Sequence, residues 1–149
     1  FGATLTACEL VSHVSLGFVL RHIPGAQAPL AESPWYLLVE LSGGGDDSTL
    51  RAALEEFLGN ALENESITDG VIAQSGEQAK RLWALRETIS EAQKIEGISI
   101  KHDISVPVSA IPGFLDAAGA ALDAAYPGGR YRPSPTLADA PAMLAQERR

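Results

Sequence analysis

The sequence is poor in the residue types that most often carry recognisable chemistry. Among 149 residues there are one cysteine (Cys8), one methionine, two tryptophans and three histidines. A single cysteine excludes an internal disulfide and a cysteine metal cage. Its place in the apolar stretch LTACELV predicts a buried structural thiol. His13 and His22 have no carboxylate or cysteine at ligand spacing, which predicts helix-end or surface roles rather than metal ligation. Lys and Arg number 11 against 19 Asp and Glu, a formal charge of −8. That deficit excludes nucleic acid as partner, because phosphate binding draws on a surplus of basic residues on one face. A small anion, which feels only the local field, stays open. No apolar run reaches the ~18–20 residues of a membrane span. The start has neither a basic n-region nor an apolar h-region, so the expected location is cytoplasmic. The chain opens on Phe1 already inside an apolar run, the pattern of the interior of a longer polypeptide.

What is present fits one domain with 46% apolar residues. ATLTACELV predicts a strand over residues 4–9, and VSHVSLGFVLRHI a helix stopped by Pro24-Gly25. WYLLVELS is the clearest strand, with Trp35, Leu37, Val39 and Leu41 on one face. From Asp46 or Asp47 a helix places Leu50, Leu54, Phe57, Leu58 and Leu62 together, and ITDGVIAQ predicts a strand over 67–74. Ser75 and Gln78 form a capping box for a helix whose buried stripe is Leu82, Leu85, Ile89 and Ala92 and whose stop is Gly97. ISIKHDISVPV predicts a strand with Ile98, Ile100, His102, Ile104 and Val106 on one face and Ser99, Lys101, Asp103 and Ser105 on the other. AIPGFLDAAGAALDAAY predicts a last helix.

This alternation admits a doubly wound parallel sheet or a ferredoxin-like antiparallel one. Strands with one polar face favour the second, so the expected class is α+β, a ferredoxin-like antiparallel sheet with helices on one face. The Pro- and Gly-rich residues 128–149 are expected to be an irregular tail outside the sheet, with at most a short helix near 139–147.

Two features bear on function. SGGGDDS stands between a strand and a helix but matches no phosphate-loop spacing, and its two aspartates oppose a phosphate; it reads as a turn. Arg86 and Ser90, at i and i+4, lie at the shoulder of the buried stripe, followed by Lys101 on the polar side of its strand. Spacing alone leaves two readings open. One is an anion site; the other is an Arg86 to Glu salt bridge with a solvated Lys101 to Asp103 pair.

RLWALRETISEAQ followed by GISIKHDISVPVSAIPGFL resembles the C-terminal half of the FAD-linked oxidases of D-2-hydroxy acids, the family of D-2-hydroxyglutarate dehydrogenase, FAD-linked D-lactate dehydrogenase and the glycolate oxidase D subunit. TACELVSHVSLGFVLRH and PWYLLVELSG resemble the segments before it, so the likeness covers about residues 4–127. The resemblance implies that residues 1–127 are a fragment of a cap, or substrate, domain packed over an FAD-binding domain of the same polypeptide. It implies that Arg86, Ser90 and Lys101 bind a small 2-hydroxy acid, with Ser90 where a Thr can occur, while hydride passes to FAD. It also implies a divalent metal held by the histidines of a GHxGDGNxH motif. Here the chain departs, reading GGRYRPSPTLADAPAMLAQERR with no histidine. No catalytic residue is therefore assigned, and this fragment alone is expected to be inactive. The alternative is a freestanding ferredoxin-like module that binds a ligand or partner without catalysis.

Overall fold

A computed structural model describes residues 4–43, 47–98, 105–127 and 142–148. The described elements are β1 (Leu5–Ser12), α1 (His13–His22), β2 (Trp35–Ser42), α2 (Asp47–Glu63), β3 (Gly70–Ile72), α3 (Gly76–Glu87), α4 (Ile89–Glu96), a short 3-10 turn (Val108–Ala110), α5 (Ile111–Ala125) and β4 (Ala142–Arg148). The four strands form one sheet in the order β1-β2-β4-β3. The α+β class expected from the sequence is what the chain has, with β1 and β2 antiparallel from Leu5 opposite Leu41 to Ser12 opposite Trp35. β4 lies parallel to both of its neighbours, so the sheet is mixed rather than antiparallel throughout.

Strand parity explains the core. Val39 and Leu41 of β2 meet Leu54, Leu58 and Ala61 of α2 on one face. On the other, Tyr36 joins Val11, Leu16 and Val19 with Leu85 and Ala92, while Leu38 joins Ala73 and Leu82. Thus α1, α3 and α4 share one face as expected, whereas α2 covers the opposite one. Phe57 and Leu62, placed by periodicity on the buried side of α2, are 43% and 40% exposed. β1 runs on to Ser12, because Val11 and Ser12 continue the pairing with Tyr36 and Trp35. Ser12 then caps α1, its Oγ accepting from the Ser15 amide at 3.2 Å.

The expected irregular tail is corrected at its end: Ala142–Arg148 pairs with β2 from Tyr36 opposite Ala142 to Ser42 opposite Arg148, and with β3 at Met143 to Ala145. AMLAQER has the composition of a helix, but a gap between two strands offers backbone partners on both sides, and that gain overrides local propensity. The expected strand over 98–106 falls largely on residues 99–104, which lie outside the described residues, as do 128–141. Gly97 ends α4 at φ 141°, a conformation that L side chains rarely adopt, which accounts for the stop read from the sequence.

Candidate functional site

The site is built at the far end of α3. Ser75 starts this helix, its Oγ accepting from the Gln78 amide at 3.2 Å, while Gln78 Oε1 reaches back to the Gln74 amide at 2.7 Å rather than to Ser75 itself. Leu82 and Leu85 fix the buried side. One turn before the end, Trp83 Nε1 donates to Glu40 Oε2 at 3.0 Å, and Thr6 Oγ1 donates to Glu40 Oε1 at 3.0 Å. Glu40 is 5% exposed on the sheet face that carries Leu38 and Tyr36, so this contact ties α3 to β2.

Arg86 follows on the rim. Its Nε lies 3.3 Å from Glu9 Oε2 and its Nη2 donates to Glu9 Oε1 at 3.5 Å. Glu9 sits on the edge strand β1 opposite Leu38, which aims it at the same face of the sheet as α3. The ion pair left open by the sequence therefore exists. Both side chains are about two-fifths exposed, so as a stability element the pair is worth little, about 0–1 kcal/mol. The neighbouring Cys8 is exposed, not buried as expected, because β1 is an edge strand. Partial burial raises its thiol pKa above the ordinary 9.0, and the Glu9 charge adds to the rise.

Ser90 is exposed, but Arg86 and Ser90 do not share one helix. Thr88 interrupts it at φ −84°, ψ −1°, and its Oγ1 donates to the Ala84 carbonyl at 2.6 Å. Arg86 ends α3 and Ser90 opens α4. The Ser90 hydroxyl has no hydrogen-bond partner among the described residues. Lys101, His102 and Asp103 lie outside the described residues. Glu9, Glu40 and Trp83 were missed by sequence reasoning. The first two are single ionisable residues within apolar strands, the mark of a side chain with a specific partner.

His13 opens α1, 3.6 Å from Glu32, and His22 closes it, 2.7 Å from Glu96, which Arg21 also contacts. Among the described residues no group of three or more His, Cys, Asp or Glu could hold a metal ion. The described residues therefore do not fit the divalent metal that the resemblance implies. A cleft of about 310 Å³ between the end of α1, residues 23–29 and α3 stands at the low end of small-ligand pockets. No helix among the described residues is long and apolar enough to cross a membrane.

Comparison with known proteins gives these observations a context. The model of the family "FAD linked oxidases, C-terminal domain" matches residues 2–133. The chain is 43% identical over 124 residues to a D-2-hydroxyglutarate dehydrogenase of Xanthomonas citri pv. viticola, covering 83% of this chain and 25% of that protein. It is 40% identical over 111 residues to the mitochondrial D-2-hydroxyglutarate dehydrogenase of Arabidopsis thaliana, covering 74% and 20%. For the Danio rerio protein of the same name the figures are 34% over 113 residues, 74% and 20%. The chain thus spans a fifth to a quarter of the length of these relatives. With the matched region taking in β1 to α5 and the whole of the Arg86 rim, the chain belongs to the family of FAD-linked oxidase C-terminal domains.

Proposed function

We propose that the chain is the substrate-binding cap segment of an FAD-dependent D-2-hydroxy-acid dehydrogenase, acting with an FAD-binding domain of the same polypeptide that lies outside these residues. In this reading Arg86 and Lys101 hold substrate carboxylate, and Ser90 donates a hydrogen bond. When bound, FAD supplies the hydride acceptor for the substrate's C2. The observation that carries the reading is the Arg86 rim: a guanidinium at a helix end, half in water, already faces both oxygens of one carboxylate. A group that can grip Glu9 in this way can grip a substrate carboxylate. The names of the relatives support D-2-hydroxyglutarate as the first substrate to try. A cytoplasmic location belongs to the same proposal and rests on the sequence; the Arabidopsis relative is named as mitochondrial.

The test is steady-state kinetics with D-2-hydroxyglutarate in the FAD-loaded polypeptide that carries this segment. Arg86→Ala and Lys101→Ala should each lose a charge-assisted hydrogen bond of ~1.5–3 kcal/mol, about one to two powers of ten in kcat/KM. Arg86→Lys should be nearly as damaging, since an ammonium cannot reproduce a two-toothed grip. Ser90→Ala should cost less, about 0.5–1.5 kcal/mol. Near-normal kcat/KM in Arg86→Ala and Lys101→Ala would refute the assignment and leave Arg86 with Glu9 as a surface ion pair. An uninterrupted natural reading frame without an FAD-binding domain would favour the freestanding module instead.

A further inference from the structure

The Arg86 to Glu9 contact uses only part of the guanidinium. Nε and Nη2 form its side edge, and these are the atoms that face Glu9 Oε2 and Oε1. The end edge, made of Nη1 with the second N–H of Nη2, has no partner among the described residues. A planar guanidinium with one edge fixed has its plane fixed as well, so the free edge points in a set direction. An unsupported arginine at a helix end would otherwise sample many rotamers, and a ligand would have to freeze them.

The supports behind Arg86 act in the same sense. Trp83, one turn earlier on α3, is held by Glu40 on β2, and Glu9 stands on the adjacent strand β1, so the helix and the guanidinium are both referred to the same sheet. We infer that Glu9 is a positioning residue for substrate binding, holding the side edge of Arg86 so that its end edge is presented to the carboxylate of the incoming D-2-hydroxy acid. The inference rests on the assignment of Arg86 as a substrate anchor. Glu9 does not touch the substrate; it acts through Arg86, and its own negative charge is neutralised by the side edge it holds.

The opposite role is physically possible and gives the opposite sign. A carboxylate that competed with substrate for Arg86 would, when removed, tighten binding. The experiment measures KM, and Kd from the substrate dependence of the flavin-reduction rate in anaerobic stopped flow, for D-2-hydroxyglutarate in the FAD-loaded polypeptide. The variants are Glu9→Gln, Glu9→Ala, Arg86→Ala and the double variant Glu9→Gln/Arg86→Ala, with Glu55→Gln as control. Glu55 pairs with Arg51 on α2, on the far face of the sheet, and its loss should leave both constants alone. Glu9→Ala should raise KM and Kd together by up to about five-fold, the upper range for an exposed ion pair. Glu9→Gln, which keeps an acceptor oxygen, should raise them less. In the Arg86→Ala background Glu9→Gln should have no further effect, because the residue acts only through Arg86. If Arg86→Ala weakens binding while Glu9→Ala leaves KM and Kd unchanged or lowers them, the positioning role is overturned and the anchor stands. If Arg86→Ala is itself without effect, the anchor assignment fails and the positioning role fails with it.

Discussion

Glu40 offers the sharpest test of how the Arg86 end of α3 is held. It is a carboxylate 5% exposed in the second strand of the sheet, whose two oxygens are met at 3.0 Å by Trp83 Nε1 and Thr6 Oγ1. A buried carboxylate is costly to keep, but once it is there its donors depend on it. In Glu40→Gln the amide oxygen can take the indole N–H and the amide NH₂ can donate to Thr6, whose hydroxyl accepts as readily as it donates. Both contacts survive as neutral hydrogen bonds, and the expected loss is about 1 kcal/mol. In Glu40→Ala the indole N–H loses its acceptor at a half-buried site, about 1–3 kcal/mol, and one packed methylene, Cγ, is lost at about 0.8 kcal/mol. Relief of the buried charge returns part of this, so a net loss of about 2–3 kcal/mol is expected. For a chain of this size that is a melting-temperature drop of about 4–12 °C, against about 2–4 °C for the glutamine. Thermal melts of the two variants and the parent, followed by the fluorescence of Trp83 and Trp35, decide it. A Glu40→Ala melt within a degree of the parent, or a glutamine variant as damaged as the alanine one, would refute the account of α3 as tied to β2 through this carboxylate.

Two further outcomes follow from the packing and the charges. Gly70→Ala would place a Cβ 2.4 Å from Leu58 Cδ1 and 3.2 Å from its Cγ, so the buried Leu58 must change rotamer in the α2 core. A loss of about 1–3 kcal/mol in urea unfolding is expected, recovered in part by Leu58→Val in the double variant, and strict additivity would refute the clash. The Glu96 carboxyl is held below its usual 4.5, first by the hydrogen bond to His22, against an opposing effect of burial that is next in size, and then by the Arg21 charge and hydrogen bond. Its stabilisation is therefore present above pH 4.5 and lost as pH falls through the lower folded value. The melting temperatures of parent and Glu96→Gln should differ near pH 6 and converge in acid; a gap that does not change with pH would show that this tie between α1 and α4 is not electrostatic.

The elements with a strong local signature were legible in the sequence. Ser75 with Gln78 marks the start of α3 and Gly97 the end of α4, and of the stripe Leu82, Leu85, Ile89 and Ala92 across these two helices all are buried but Ile89, which is partly so. The faces of the sheet were harder to read. WYLLVEL alternates weakly, and emphasis on Trp35, Leu37, Val39 and Leu41 suggests one covered side, yet Tyr36 and Leu38 are equally buried. A nearly continuous apolar run is the mark of a strand covered on both faces, and β2 is one, with α2 on one side and α1 and α3 on the other. β4 carries no such mark. Its pairing depends on β2 and β3, about 100 and 70 residues earlier in the chain, and a window of local residues contains neither.

For the site, the exposed position of Arg86 on the rim of α3 follows from helical spacing, but its partner does not, since Glu9 is 77 positions away in sequence. The break at Thr88 changes the argument about Ser90 in a physical way. A threonine whose hydroxyl donates back to the carbonyl four residues earlier competes with the helix ladder and favours a helix boundary, and Thr88 donates in this way to Ala84 where α3 gives way to α4. Helical spacing then no longer licenses the inference that Arg86 and Ser90 lie on one face, because that inference requires one axis. Their directions are set by different supports. α3 is referred to the sheet through Trp83 and Glu40, and Arg86 through Glu9. α4 is referred instead to the core around Ala92, which has no exposed surface, and to the end of α1 through Glu96 with Arg21 and His22. Loosening α3 at Glu40 should therefore weaken the contribution of Arg86 to binding and leave that of Ser90 in place. A rigid helix running unbroken from 76 to 96 would lose both together.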